Sequence, residues 1–103
     1  MRTDSVFEAV SEPTRRAMLD LLAGGERSVG ELVGRFDVSQ PAISHHLRIL
    51  REAGLVKTRK AGRQRLYSLQ ARPLRRVHDW LRHYERFWTD KLDALGEHLR
   101  RNS

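Results

Sequence analysis

Ser39 to Leu55, SQPAISHHLRILREAGL, is the stretch whose reading decides the fold. With successive helical residues about 100° apart, Ala42, Ile43, His46, Leu47, Ile49, Leu50 and Ala53 fall on one continuous arc. Gln40, Pro41, Ser44, His45, Arg48, Arg51 and Glu52 fall on the opposite arc. The first arc is predicted to be core and the second to be free. Ser39 is a suitable N-cap, because its hydroxyl can accept from an orphan backbone N–H, and Pro41 is tolerated in the first turn. Gly54 ends the helix as a left-handed residue beyond its C-terminus does, which gives a helix over 39–53. Gln40, Ser44 and Arg48, four residues apart, place amide, hydroxyl and guanidinium groups along the free face. Such groups bond base edges and phosphates, but an ordinary solvated helix also has a polar face, and the flanking sequence must decide between the two.

Upstream, Asp4 to Val10 can form a short helix with Val6, Phe7 and Val10 on one side, too short to stand alone in water. Ser11-Glu12-Pro13-Thr14 is a helix-start signal, followed by Ala17, Met18, Leu21 and Leu22 at helical spacing and stopped by Gly24-Gly25. Ser28 with Glu31 is a capping box for a third helix that turns Val29, Leu32, Val33 and Phe36 inward. Only Asp37 and Val38 then separate Phe36 from the cap Ser39. Two short helices joined by so tight a turn, the second with a free polar face, are a helix-turn-helix.

After Gly54 the period falls to about two. Leu55 to Lys60 and Gln64 to Leu69 are strand candidates around a turn at Ala61-Gly62-Arg63, a wing over 55–69. Lys57, Arg59, Lys60, Arg63 and Arg65 are five cations in nine residues. Placed on a hairpin they suit contact with phosphate or the minor groove; the plainer reading is a hairpin whose charges guard its edges. Ala71 to Arg100 reads as one long helix with a seam at Leu74, Val77, Leu81, Tyr84, Trp88, Leu92, Leu95 and Leu99, widened by Trp80 and Phe87. About 30 residues of helix span about 45 Å, more than the domain before it covers, so the seam is expected to meet a second copy of itself, joined by Val6, Phe7 and Val10. The alternative is a C-terminal helix folded over its own core.

The 103 residues are read as a single domain, 1–103. Its net charge of +7 is uneven, −1 up to Leu55 and +8 beyond it. With a sequence pI near 11.0, this favours a polyanionic partner. A mean hydropathy of −0.64, no apolar run of membrane-spanning length and no apolar leader in MRTDSVFEAV predict a cytoplasmic, nucleoid-associated protein with no membrane partner. The absence of cysteine excludes disulfides, thiolate metal sites and a cysteine nucleophile. Ser44 and His45, being adjacent, cannot face each other on a helix. There is no HExxH and no phosphate-cradling glycine loop, so no catalytic residue and no cofactor is expected.

The chain resembles the ArsR-type (arsenic-repressor-like) winged helix-turn-helix repressors of bacteria. The resemblance rests on Glu12-Pro13-Thr14-Arg15, Ser28-Val29-Gly30-Glu31-Leu32, Ser39 through Leu47, Leu50 through Val56, and the hairpin Arg59 to Leu69. These collinear segments cover about two thirds of the chain. It implies a mainly α fold with a small β-hairpin, in the order α-α-α-α-β-β-α. It implies a homodimer paired through its first and last helices, and a recognition helix in the major groove of double-stranded DNA at an inverted-repeat operator. By this carry-over Ser39, Gln40, Ser44, His45 and Arg48 contact DNA, with Arg59, Lys60, Arg63 and Arg65 in the wing. The dimer residues are Val6, Phe7, Val10, Leu74, Val77, Leu81, Tyr84 and Trp88, with a dimerisation helix over 71–100.

Departures from the family pattern bear on sensing. Where metal-sensing members carry a cysteine pair, this chain has Ser28 and Gly30. The last helix offers His78, Asp79, His83, Glu85, Glu97 and His98, but not the spacing of the metal-binding members. Asp79 and His83 with Glu97 or His98 of a partner are the one cross-dimer combination left open, and no metal site is expected. His46 is read as a core histidine and His45 as a DNA candidate. Trp80, Phe87 and Trp88 are read as core or seam, with an apolar effector pocket as the alternative. The reading is therefore a dimeric sequence-specific repressor. Its alternatives are a repressor gated by a metal or small apolar ligand and a winged-helix protein-interaction module.

Overall fold

The computed structural model describes residues 5–89. The first half of the chain forms α1 (Ser5–Val10), α2 (Pro13–Ala23), the short strand β1 (Arg27–Ser28), α3 (Val29–Arg35) and α4 (Gln40–Glu52). The hairpin β2 (Val56–Ala61) and β3 (Gln64–Leu69) follows, then a 3-10 turn (Arg72–Leu74) and α5 (Arg75–Arg82), after which residues 85–89 are again helical. This is the winged helix-turn-helix arrangement, mainly helical with a small antiparallel sheet.

Local chemistry starts and stops these elements. The Glu12 carboxylate accepts the Arg15 backbone N–H at 2.9 Å, and Pro13 occupies the first turn of α2. At α3 the capping box is reciprocal: Ser28 Oγ accepts from the Glu31 N–H, and Glu31 Oε1 accepts from the Ser28 N–H, each at 3.2 Å. Ser39 Oγ accepts the Ala42 N–H at 3.3 Å and opens α4. Each cap satisfies a donor that the helix cannot. Gly54 (φ +78°) closes α4, and Gly62 (φ +64°) makes the two-residue wing turn with Arg63. Both angles strain any residue with a Cβ.

The core forms where α4 meets α1, α2 and the sheet. Ile43 and Leu50 are completely buried and Leu47 nearly so, enclosed with Val6, Met18, Leu32 and Leu55. In α2 the buried stripe is Arg15, Met18, Leu19 and Leu22, and Ala17, expected inside, is exposed. The stripe is displaced because a cation belongs to it, which a count of apolar residues cannot register.

Four further expectations change. A third strand, β1, pairs with β3 (Arg27 opposite Tyr67, Ser28 opposite Leu66), so β3 is central in the order β1-β3-β2. Two residues are too few to show a period of two. Val6, assigned to a dimer surface, has no exposed surface within its own chain, because α1 lies against α4 and α5. Leu74 and Val77 are half-buried against the same core. The long helix is interrupted: Pro73 lies in a 3-10 turn, and α5 stops at Arg82, where His83 and Tyr84 donate backbone bonds three residues back, to Trp80 and Leu81. This tightening changes the phase of the seam. Leu92, Leu95, Glu97, His98 and Leu99 lie outside the described residues.

Two glycines give opposite expectations for one substitution. Gly54→Ala forces a Cβ into left-handed backbone with Pro73 Cγ at 3.5 Å and should cost about 1–2 kcal/mol. Gly34→Ala, in helical backbone with nothing within 4 Å of the new Cβ, should gain up to about 1 kcal/mol. Urea unfolding of the two variants beside the parent checks both signs.

Candidate nucleic-acid interface

Burial of one arc of α4 leaves the other arc to solvent. Gln40, Pro41, Ser44, His45, Arg48, Arg51 and Glu52 are all exposed, whereas Ala42, Ile43, His46, Leu47, Ile49, Leu50 and Ala53 are buried or half-buried. The division assigned from periodicity therefore holds at every position. Ser39 is exposed, but its Oγ is engaged in capping, which leaves its remaining hydrogen-bonding capacity for a ligand. On the exposed face the Arg48 guanidinium donates to His45 Nδ1 at 3.1 Å, so these two side chains form one polar unit. A groove of about 220 Å³ runs beside this face, lined by Ser44, Leu47, Arg48, Arg51 and Tyr67 of β3. It joins the helix face to the hairpin, and Arg51 enters the surface through it although the sequence reading gave it no contact role.

The hairpin cations do not stand alike. Lys60 and Arg65 are direct cross-strand partners, and Arg63 lies in the turn. Like charges placed opposite each other destabilise a strand pair, and a polyanion lying along the hairpin relieves that repulsion. Arg65 also donates to Thr58 Oγ1 at 3.4 Å. Arg59, by contrast, is occupied: its Nε donates to Glu26 Oε2 at 2.7 Å and its Nη2 to Glu26 Oε1 at 2.9 Å. The Arg59 hydrogen bonds hold the Glu26 carboxyl below its ordinary pKa, and the same bonds raise that of Arg59. Glu26 thus ties the wing to the segment between α2 and β1. No sequence signal pairs residues 33 positions apart, so this partner was not foreseen.

The histidines separate as expected. His45 lies on the exposed face and His46 is half-buried beneath it. On α5, Trp80 and Leu81 are exposed, as are Tyr84, Phe87 and Trp88 beyond it. Phe7 of α1 meets the Trp80 ring edge-on at 5.6 Å, and Tyr84 continues the stack at 5.5 Å from Trp80. Val10 is half-buried at the end of α1. Asp79 is 3.3 Å from His78 Nδ1 and 3.9 Å from Arg75. Among the described residues no group of three His, Asp or Glu side chains comes together to hold a metal.

The family model described as "Bacterial regulatory protein, arsR family" matches residues 12–58, from the N-cap of α2 into β2. The transcriptional repressor SdpR of Bacillus subtilis is 41% identical over 76% of this chain and 87% of its own length. The chain belongs to the ArsR family. An HTH-type transcriptional regulator of Mycobacterium tuberculosis is 42% identical over 91% of this chain and 85% of its own. Among solved structures, an ArsR-like transcriptional regulator from Rhodococcus sp. RHA1 superposes with a TM-score of 0.70 at 33% identity, over 92% of this chain and 90% of that one. This ArsR-family chain is accordingly a DNA-binding transcriptional regulator and not an enzyme. Among the described residues no helix is long and apolar enough to cross a membrane.

Releasing Arg59 should make the wing a stronger phosphate binder. Glu26→Gln removes a negative charge and the bidentate partner, so affinity for random duplex should rise. The slope of log K against log salt should steepen by up to about 0.9, the value for one added phosphate contact on duplex DNA. Fluorescence anisotropy across a salt series measures both quantities.

Proposed function

We propose that this ArsR-family regulator is a homodimeric repressor that reads an inverted-repeat operator, each protomer laying α4 in a major groove. The observation that carries the proposal is the exposed polar face of α4, continuous through the Arg48–Arg51 groove with the basic hairpin. Gln40, Ser44, His45 and Arg48 read base edges, and Ser39 contributes beside its cap. Lys60, Arg63 and Arg65 bind phosphate, and Arg59 does so only on leaving Glu26. This division follows from chemistry, because phosphate contacts position a protein and base contacts select sequence.

The occupant proposed for the aromatic surface is a second copy. Trp80, Leu81, Tyr84, Phe87 and Trp88 form a run of exposed apolar side chains beside Phe7 and Val10. Solvent-facing patches of this kind mark association surfaces, and a two-fold operator calls for a two-fold protein. Leu74 and Val77 support this surface from the core side, and Val6 takes no part in it. Repression, as the name of the Bacillus subtilis relative states for that protein, follows if the bound dimer excludes polymerase from the promoter. The protein is placed in the cytoplasm with the nucleoid.

A gel-shift series on the promoter of its own operon tests the proposal. Specific duplex should bind well above random duplex at physiological salt, with half-sites about one helical turn, roughly 34–36 Å, apart. Arg48→Ala should relax base preference. Arg63→Ala should weaken binding to every sequence and reduce the salt slope by about one. Equal losses of specificity from both variants contradict the division of labour, and a monomer by sedimentation at micromolar concentration contradicts the two-fold reading.

A further inference from the structure

Arg15 and His46 lie outside the surface described above and make an unusual set of contacts. Arg15 is 8% exposed. Its Nε donates to the Ala9 carbonyl at 2.9 Å and its Nη2 to the Glu8 carbonyl at 3.1 Å, both at the end of α1. Its Nη1 donates to Nδ1 of His46, in the middle of α4, at 3.2 Å. A guanidinium has no acceptor atom, so His46 Nδ1 must be the acceptor and the imidazole must be the neutral tautomer with its proton on Nε2. That proton points toward the Glu12 carboxylate, 3.9 Å away. One side chain from α2 therefore joins the end of α1 to the buried side of the helix that carries the reading face. His45 and His46 are neighbours, and their rings lie 5.9 Å apart.

We propose that Arg15 and His46 are positioning residues forming a titratable strut between α1 and α4, so that operator binding weakens when His46 Nδ1 takes up a proton. Protonation converts the acceptor into a donor facing the Arg15 guanidinium, and bond and charge then both oppose the observed geometry. Glu12 is the counterweight, because its carboxylate attracts the imidazolium. The outcome follows from the whole neighbourhood of His46. Burial pushes it below 6.5, Glu12 pulls it up, and Arg15 and His45 push it down, leaving a net lowering. Glu12 itself stays ionised. Burial pushes it up, but the backbone N–H groups of Arg15 and Thr14, with His46 and the Thr14 hydroxyl, outweigh that and hold it below 4.5. The folded chain thus resists protonation of His46 that the unfolded chain accepts, and fold and operator complex both lose stability as pH falls through the interval below 6.5. The strut bears on DNA because α1 borders the proposed dimer surface, so the distance and tilt between two recognition helices depend on how α4 is held to α1.

The inference rests on the reading of α4 as the recognition helix, and the test separates the two. Operator and random-duplex affinities of the full chain are measured by anisotropy from pH 8 to 5.5 at fixed salt. The proteins compared are His45→Gln, which removes the second imidazole from the DNA face, and His45→Gln with His46→Asn. Asn places a carbonyl oxygen where Nδ1 stands and does not titrate. In the first protein operator affinity should fall by up to about tenfold per pH unit below about 6.5, the limit for one proton, while random-duplex affinity does not fall. The second should be flat, with circular dichroism showing both folded throughout. Equal pH slopes in the two proteins overturn the strut, as does helix loss that parallels the affinity. Arg48→Ala without effect on base preference at pH 7.5 overturns the recognition-helix reading instead, whatever the pH profiles show.

Discussion

Burial of one arc of α4 is the constraint on which the rest of the structure depends. Ile43, Leu47 and Leu50 are inaccessible, and each contributes roughly 1.5–3 kcal/mol by leaving water, a large part of the net stability of so small a domain. Rotating the helix to bury its polar arc would strand Arg48, Arg51 and Glu52 in the core without partners, at a cost larger than that gain. The orientation of the reading face is therefore fixed by packing on the opposite side. α1, α2 and the sheet act as the mould that holds it there.

Charge is arranged on a different principle. The hairpin carries its cations on exposed positions, including a like-charge pair across the strands at Lys60 and Arg65, which favours association with a polyanion over isolated stability. Glu26 offsets part of this by taking Arg59 into a bidentate pair. Exposed ion pairs contribute little to stability, so the pair matters more for where the wing sits and for how many cations face the ligand.

Several features were legible because they depend on near neighbours. Ser28 and Glu31, Ser39 and Ala42, and Glu12 and Arg15 act across three residues, and the period of α4 shows in thirteen residues. The wing turn is legible because Gly62 supplies a backbone conformation other residues resist. Where the reading faltered, the cause was distant or cumulative. β1 is two residues long and exists only because β3 offers it an edge. Ala17 and Leu19 exchanged places because Arg15 occupies the buried stripe of α2. The seam beyond Leu74 had the spacing of a continuous helix, but Pro73 and the tightened turn at His83 and Tyr84 divide it.

The sequence by itself determined the helix boundaries, the helix-turn-helix, the basic hairpin, the two arcs of α4 and the separation of His45 from His46. All of these follow from interactions within a turn or two of the chain, where spacing implies contact. Only the tertiary structure decided that Val6 belongs to the protomer's core, that Arg59 is held by Glu26, and that Arg15 bridges α1 to His46. Those partners lie 33 and 31 positions apart in the last two cases, and the choice among the chain's many cations was made by which one the packed helices and strands brought within hydrogen-bonding distance.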